Sequence, residues 1–292
     1  MPELPEVETV RRTLARRVVG RRVLGVDVLR AGVVYGMSEG GRGPSQRASS
    51  GRSGPVALRR ALLEGEPLTD VGRHGKQLAM LSRRGAGVCV HLGMSGSLRV
   101  VGRPTDGTGG DHVHVVWRLS DGSELRFRDP RRFGGLWTFA TKAELHEMRW
   151  SKLGPDALTI TPGRLHAGLS RTRRWLKAAL LDQRLVAGLG NIYVDELLFA
   201  VGLHPRRTAA AVTKPESRRL VAAMRRLLNR AIAAGGSTLR DYADGEGRPG
   251  GFQTRHRVYG RGGEPCARCG RPLEVLEVAG RTTCACGRCQ RV

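Results

Sequence analysis

The sequence predicts an α+β fold, and three observations predict it. One amphipathic helix opens the chain, short apolar runs at β spacing fill residues 22 to 140, and helical periodicity takes over from about 143. Five of the six cysteines then crowd into the last 27 residues. Glu6 to Val19 reads as the opening helix. Val7, Val10, Leu14 and Val18 recur at helical spacing, arginines take much of the remainder, and Gly20 suits the stop. Strands are expected at Val23–Leu29, Gln77–Leu81, Val88–Leu92, Val113–Leu119 and Glu124–Arg128, with a turn at Asp121-Gly122. Ala57–Leu63 reads as a helix between strands, and the Gly-, Ser- and Arg-rich stretch 36–55 as a flexible loop. Farther on, Arg173–Gln183 and Asn191–Val201 read as helices around the loop Arg184–Gly190, and Ser217–Ala234 as a long amphipathic helix. Residues 244–251 read as a second flexible loop, and the tail from 258 as short β hairpins. The resulting division is 1–142, 143–250 and 251–292.

A length of 292 residues accommodates more than one core. The net charge of +24 points to a polyanionic partner, with nucleic acid the natural one, because neutralising phosphates releases counterions. A ribosomal or membrane-surface protein could be equally basic, so charge names a partner class and no chemistry. The first residues are acidic and lack an apolar core, so no signal peptide is expected, and no apolar run reaches the ~18 residues of a membrane span. The expectation is a cytoplasmic protein.

The cations are almost all arginine; lysine occurs only at 76, 142, 152, 177 and 214. Arginine cannot be deprotonated in a protein, so the candidate amine nucleophiles are these five lysines and the terminal amine. Removal of Met1 would leave Pro2 as a free secondary amine followed by the carboxylate of Glu3. A terminal amine has a reference pKa near ~8 against ~10.4 for lysine, so far more of it is neutral and nucleophilic at pH 7. Its product with a carbonyl carbon is a permanently charged iminium, an electron sink. Lys76, at a turn before a strand, is the strongest competitor. A frayed terminus that merely leads into a helix is the bland alternative.

Cys266-x-x-Cys269 and Cys286-x-x-Cys289 stand 16 residues apart. Two such turns can aim four thiolates at one tetrahedral Zn2+. Cys284 is a spare thiol two residues before Cys286, and Cys89, flanked by valines in a strand, reads as a buried structural cysteine.

PELPEVETVRR at the start, HLGMSGSLR (91–99), DPRRFGGLW (129–137), GLGNIY (188–193) and VYGRGGEPCARCG (258–270) resemble, in the same order, signatures of the formamidopyrimidine-DNA glycosylases, bacterial base-excision repair enzymes. The resemblance covers nearly the whole chain. It implies an N-terminal β-sandwich-like domain carrying the terminal helix, a helix-two-turn-helix domain and a C-terminal zinc β-hairpin finger, with DNA in a basic cleft between them. It further implies a monomeric, nucleoid-associated bifunctional glycosylase/AP lyase acting on double-stranded DNA that carries oxidised purines or abasic sites.

By that resemblance Pro2 is the nucleophile, Glu3 a proton donor to the sugar ring oxygen, and Lys76 a phosphate contact near the lesion. Met94 and Phe133 fill the void left by the flipped nucleotide, and Arg131 faces the orphan cytosine. Asn191 and Arg281 grip phosphates. Glu6 and Glu196 orient the N-terminus or serve ordinary helix-terminal and solvent roles. His114 stands where the family commonly has an Asp, and Cys284-Ala285 where Phe-Tyr is usual. Two other readings remain: the sister branch that prefers oxidised pyrimidines, and a non-catalytic zinc-containing DNA-binding protein.

Overall fold

The computed structural model describes residues 2–36, 56–102 and 110–291. Most of the loop expected at 36–55 therefore lies outside the described residues. The chain divides into two compact units. The first holds residues 1–2, 6–152 and 237–250; the second holds 3–5, 153–236 and 251–292.

In the first unit, helix α1 (Leu4–Val18) supplies Val7, Val10, Leu14 and Val18 to a core that two sheets complete. One sheet has the order β1 (Val23–Val28), β7 (Val113–Leu119), β8 (Glu124–Arg128), β6 (Ser97–Val101), antiparallel throughout. The other has the order β2 (Val34–Gly36), β9 (Gly135–Phe139), β5 (Gly87–His91), β4 (Gln77–Ser82), β3 (Leu68–His74), where only β2 and β9 run parallel. Alternation decides which side chains enter the core. Leu78, Met80, Val88 and Val90 face the shared interior, while Ala79, Leu81 and Cys89 join Phe139 in a smaller cluster on the other face. Helix α2 (Val56–Ala61) leads to Leu62, whose carbonyl accepts from the buried Trp117 indole at 2.8 Å. Helix α3 (Lys142–Met148), capped by Thr141, covers the outer cluster with Leu145.

Residues 237–250 are not a loose loop. Gly245 donates to Thr13 and its carbonyl accepts from Val100, while Asp244 accepts from the amides of Glu246 and Arg248. These bonds tie the 244–250 turn to α1 and β6, satisfying backbone groups that a glycine-rich sequence alone leaves open.

The second unit is helical. Helices α4 (Pro162–Ser170), α5 (Leu176–Leu181), α6 (Asn191–Val201) and α7 (Lys214–Ala233) enclose a core that also takes in Leu4. Periodicity predicts a helix over 173–183, but α5 is shorter. The backbone of Trp175 pairs with Thr208 and Leu176 donates to Arg207, so tertiary pairing consumes the first turn. Helix α7 begins on a Thr213–Glu216 capping box. The tail ends in the hairpin β10 (Glu274–Val278) and β11 (Arg281–Ala285). No helix among the described residues is long and apolar enough to cross a membrane.

Candidate active site and nucleic-acid interface

Glu3 is the centre of the second unit's polar architecture. Its carboxylate is 3% exposed and accepts from the amides of Gly190 at 2.7 Å, Ile192 at 2.9 Å and Tyr193 at 3.4 Å. These are the orphan donors at the start of α6, where the helix dipole also favours an anion. Leu4 donates to the carbonyl of Gly188 at 3.0 Å. Glu3 and Leu4 are thus bonded to the start of α6 and the loop before it, immediately after Pro2, which is itself buried.

That fixes what the glycines of the loop do. A Cβ on Gly190 would overlap the Glu3 carboxyl carbon and lie 2.6 Å from Oε1, and one on Gly188 would lie 2.5 Å from Leu4 Cδ1. The space these glycines leave holds Glu3 and Leu4. Gln183 closes the loop by donating to Leu181 and Leu189 and accepting from Gly188. Gly190 takes the N-cap, so Asn191 is the first helical residue, and its amide donates to the Thr282 carbonyl at 2.9 Å. Asn191 is thereby bonded to the strand that begins with Arg281. The Arg281 side chain is exposed and has no hydrogen bond or ion pair among the described residues.

Beside it lies a pair that sequence reasoning missed. Lys177 and Asp195 are fully buried and 2.6 Å apart. Lys177 also donates to Thr283 Oγ1 at 2.7 Å, and Asp195 accepts from the Cys284 amide at 3.2 Å. Burial lowers the Lys177 ammonium and pushes the Asp195 carboxyl up to about 6. Enclosure of Lys177 removes it from the list of amine nucleophiles and makes it a tie between α5, α6 and β11. Periodicity places 177 on the buried face of a helix, but nothing in the sequence names its partner.

Glu196 departs from its expected solvent or helix-terminal role. It is buried and accepts from three successive amides, Arg257, Val258 and Tyr259, which lead into the finger. Glu6 likewise is buried, accepting from the Ser237 amide at 2.7 Å within the first unit.

The sulfurs of Cys266, Cys269, Cys286 and Cys289 lie within 4.8 Å of one another, with 3.9 Å between Cys266 and Cys289 and 3.5 Å between Cys269 and Cys286. Tetrahedral Zn–S bonds of about 2.3 Å require S···S edges near ~3.8 Å, so the four fit one zinc ion. Cys284 stands outside the cluster, buried with Phe199, Val258 and Leu273.

In the first unit, the structure brings Met94, Arg131 and Phe133 onto two adjoining loops. Met94 is 45% and Phe133 55% exposed, which separates them from the core. The Arg131 guanidinium lies over the Phe133 ring, 4.7 Å from its centroid. Asp129, which the sequence reading passed over, locks the loops together. It is fully buried, with Oδ1 accepting from Ser95 and Oδ2 from the Gly134 amide, both at 2.7 Å. Gly93 has no room for a Cβ, because the backbone of Phe133 lies 2.5 Å from that position. His114 donates through Nε2 to the Asp129 carbonyl at 2.9 Å, and burial lowers its pKa. Lys76 is buried at the β3–β4 turn. His91 accepts from the Gly93 amide. Burial, reinforced by the charges of Arg149 and Lys76, holds it down to about 4, so it is neutral at physiological pH. The buried Cys89 thiol is pushed up to about 11, as an inert structural cysteine requires.

Comparison with known proteins follows the same segments. The formamidopyrimidine-DNA glycosylase N-terminal domain matches residues 1–136, the formamidopyrimidine-DNA glycosylase H2TH domain matches 153–243, and a zinc finger found in FPG and IleRS matches 263–292. The chain is 42% identical to the formamidopyrimidine-DNA glycosylase of Bacillus licheniformis, covering 100% of both, and 43% identical to that of Thermus thermophilus, covering 99% of this chain and 98% of the relative. The crystal structure of the MutM (Fpg) protein from Thermus thermophilus matches with a TM-score of 0.81 at 41% identity, over 99% of this chain and 98% of that one. A Lactococcus lactis Fpg bound to abasic-site DNA matches with a TM-score of 0.85 at 31% identity, over 99% and 100%.

Proposed function

The chain belongs to the formamidopyrimidine-DNA glycosylase family, and from that premise we propose that it excises oxidised purines, 8-oxoguanine and formamidopyrimidines, from duplex DNA. It is a DNA repair glycosylase and abasic-site lyase with one structural zinc. In the proposed reaction the Pro2 nitrogen, freed by loss of Met1, attacks C1′ of the flipped nucleotide. The N-glycosidic bond breaks and the base leaves with a proton. The C1′–O4′ bond then breaks as Glu3 protonates the ring oxygen, and the iminium so formed acidifies the C2′ proton, whose removal drives β-elimination of the 3′ phosphate. δ-Elimination of the 5′ phosphate follows, leaving a one-nucleotide gap with phosphate ends.

The observation that carries this reading is the Glu3 carboxylate, held by three amides at the start of α6. The residue next to Pro2 is thereby immobilised, and positioning a nucleophile is a large part of a rate enhancement. Glu3 then has two duties: it anchors the terminus, and it protonates the deoxyribose ring oxygen. Met94 and Phe133 are assigned as apolar wedges because they are exposed on loops that Asp129 rigidifies. Arg131 is assigned to the orphan cytosine, and Lys76, Asn191 and Arg281 to phosphates. These assignments and the division at 142 and 250 are our proposals, as is a place of action on nucleoid DNA in the cytoplasm.

Borohydride trapping tests the centre of the proposal. An N-terminal extension or retained Met1 places the Pro2 nitrogen in an amide and must abolish the covalent DNA adduct. Pro2→Gly keeps a terminal amine and should trap with altered rate. Binding survives in all three, because affinity comes from distributed phosphate contacts. A blocked protein that still traps while Lys76→Ala does not would move the nucleophile to Lys76.

A further inference from the structure

Helix α7 buries Leu220, Val221, Met224, Leu228, Ala231 and Ile232, and α6 and α4 pack against it. Six of its ten exposed residues are cationic, with Ala222, Asn229 and Ala233 between them. At 3.6 residues per turn, Arg219, Arg226 and Arg230 fall within about 20° of one line. Lys214, Arg218 and Arg225 form a second line roughly 120° round. Each line spans about 16 Å.

The one acid on α7 is already committed. Glu216 caps the helix and pairs with Arg207 at 2.9 Å, while Arg219 stands 3.8 Å from it. Arg225 is used internally, donating to the Ile160 carbonyl at 2.8 Å. The side chains of Lys214, Arg218, Arg226 and Arg230 have no hydrogen bond or ion pair among the described residues. Like charges along a helix repel, at a cost that a solvated face pays without return. The capping box keeps the rows on a rigid rod. Because α6 packs on the buried side of α7, these rows face away from α6 and are separate from the Asn191 end of that helix.

We propose that the exposed face of α7 is a second docking surface for duplex DNA, which grips the phosphate backbone of an undamaged stretch without reading sequence. A ~16 Å length of duplex carries about nine or ten phosphate charges, enough to meet both rows. The partner is assigned from charge and spacing: rigid arginine rows suit the fixed phosphate lattice of a duplex, and phosphate contacts position without specifying a base. This surface does not depend on the excision chemistry.

The test uses the full zinc-loaded chain and a 16-bp undamaged duplex at low salt, with stoichiometry read by sedimentation. Wild type should bind two duplexes, and the Arg218→Gln/Arg226→Gln/Arg230→Gln variant one. The second binding event should follow salt with a log–log slope of about −3.6, for the four unpaired cations at roughly −0.9 each. The corresponding triple Lys variant keeps the charge and should keep two duplexes, and an unchanged melting temperature in the Gln variant excludes misfolding. One duplex per wild-type chain, or two per Gln variant, overturns the proposal. So does wild-type protein that captures anionic phospholipid vesicles but no second duplex. Loss of trapping in Pro2 variants leaves the stoichiometry unchanged, so the two readings fail separately.

Discussion

Gly190→Ala probes the N-terminal anchor by displacing Glu3, while leaving every proposed phosphate-binding side chain unchanged. Gly190 has φ −136°, so alanine adopts its backbone without strain. The obstacle is space: the new Cβ would overlap the Glu3 carboxyl carbon and stand 2.6 Å from Oε1. The α6 backbone cannot retreat from Leu189, Ile192 and Tyr193, which are packed in the core, so Glu3 must swing out. It then loses its bonds to Gly190, Ile192 and Tyr193. A hydrogen bond to a charged group is worth about 1.5–3 kcal/mol, and water entering the vacated site restores part of three of them, so the anchor loses about 3–5 kcal/mol. At 1.36 kcal/mol per decade that is roughly 10²–10⁴ in the population of the anchored terminus. The proposal therefore expects single-turnover borohydride trapping on abasic DNA to slow by about that factor. The affinity and salt slope for undamaged duplex should stay near wild type, since no phosphate contact has changed. Trapping at the wild-type rate, with Glu3 shown displaced by a structure of the variant, would refute the claim that the anchor positions Pro2.

Cys286→Ser should lose zinc and Cys284→Ser should keep it, measured by metal analysis, because only the former belongs to the four-sulfur cluster; chelation should unfold the finger while the sheets of the first unit stay folded. Arg131→Ala should depress excision of 8-oxoguanine opposite cytosine far more than cleavage of a ready-made abasic site, whereas Arg281→Ala should weaken binding to both and lower the salt slope by about one contact; equal losses on both substrates for Arg131→Ala would remove its orphan-base role. The His91 pKa falls from 6.5 to about 4 on folding, so the unfolded chain binds the extra proton between those values. Stability from this group is full above pH 6.5 and is lost as pH falls toward 4, by an amount on the order of 3 kcal/mol. Chemical denaturation at pH 7 and 4.5 should therefore show a smaller acid loss in His91→Gln than in wild type.

Much of the fold was legible because its signals are local. The strands at 113–119 and 124–128 and the helix at 191–201 have the bounds that alternation, turn chemistry and periodicity predict. Helix α7 starts three residues earlier than expected, because the Thr213 cap and Pro215 extend it. The zinc cysteines could be read from spacing alone, since each Cys-x-x-Cys turn sets its own geometry. Exposure of Met94 and Phe133 could not, because an apolar residue between strands fits a core as well as a wedge.

What the sequence by itself determined was therefore the inventory: a terminal proline beside a carboxylate, few lysines, a surplus of arginine, two cysteine pairs, and the order of helix, strands, helices and hairpin. Only the tertiary structure decided what each charged group does. Glu3 is held by amides some 187 to 190 positions away, Glu196 by amides about 61 to 63 away, and Lys177 pairs with Asp195 under a strand that begins at Arg281. Asp129 joins two loops that periodicity treats as unrelated. The physical reason is that a buried carboxylate or ammonium must find its partner wherever the packed chain supplies one. Local pattern reports which face of an element is apolar, but it holds no record of which distant donor will meet a charge once that face is covered.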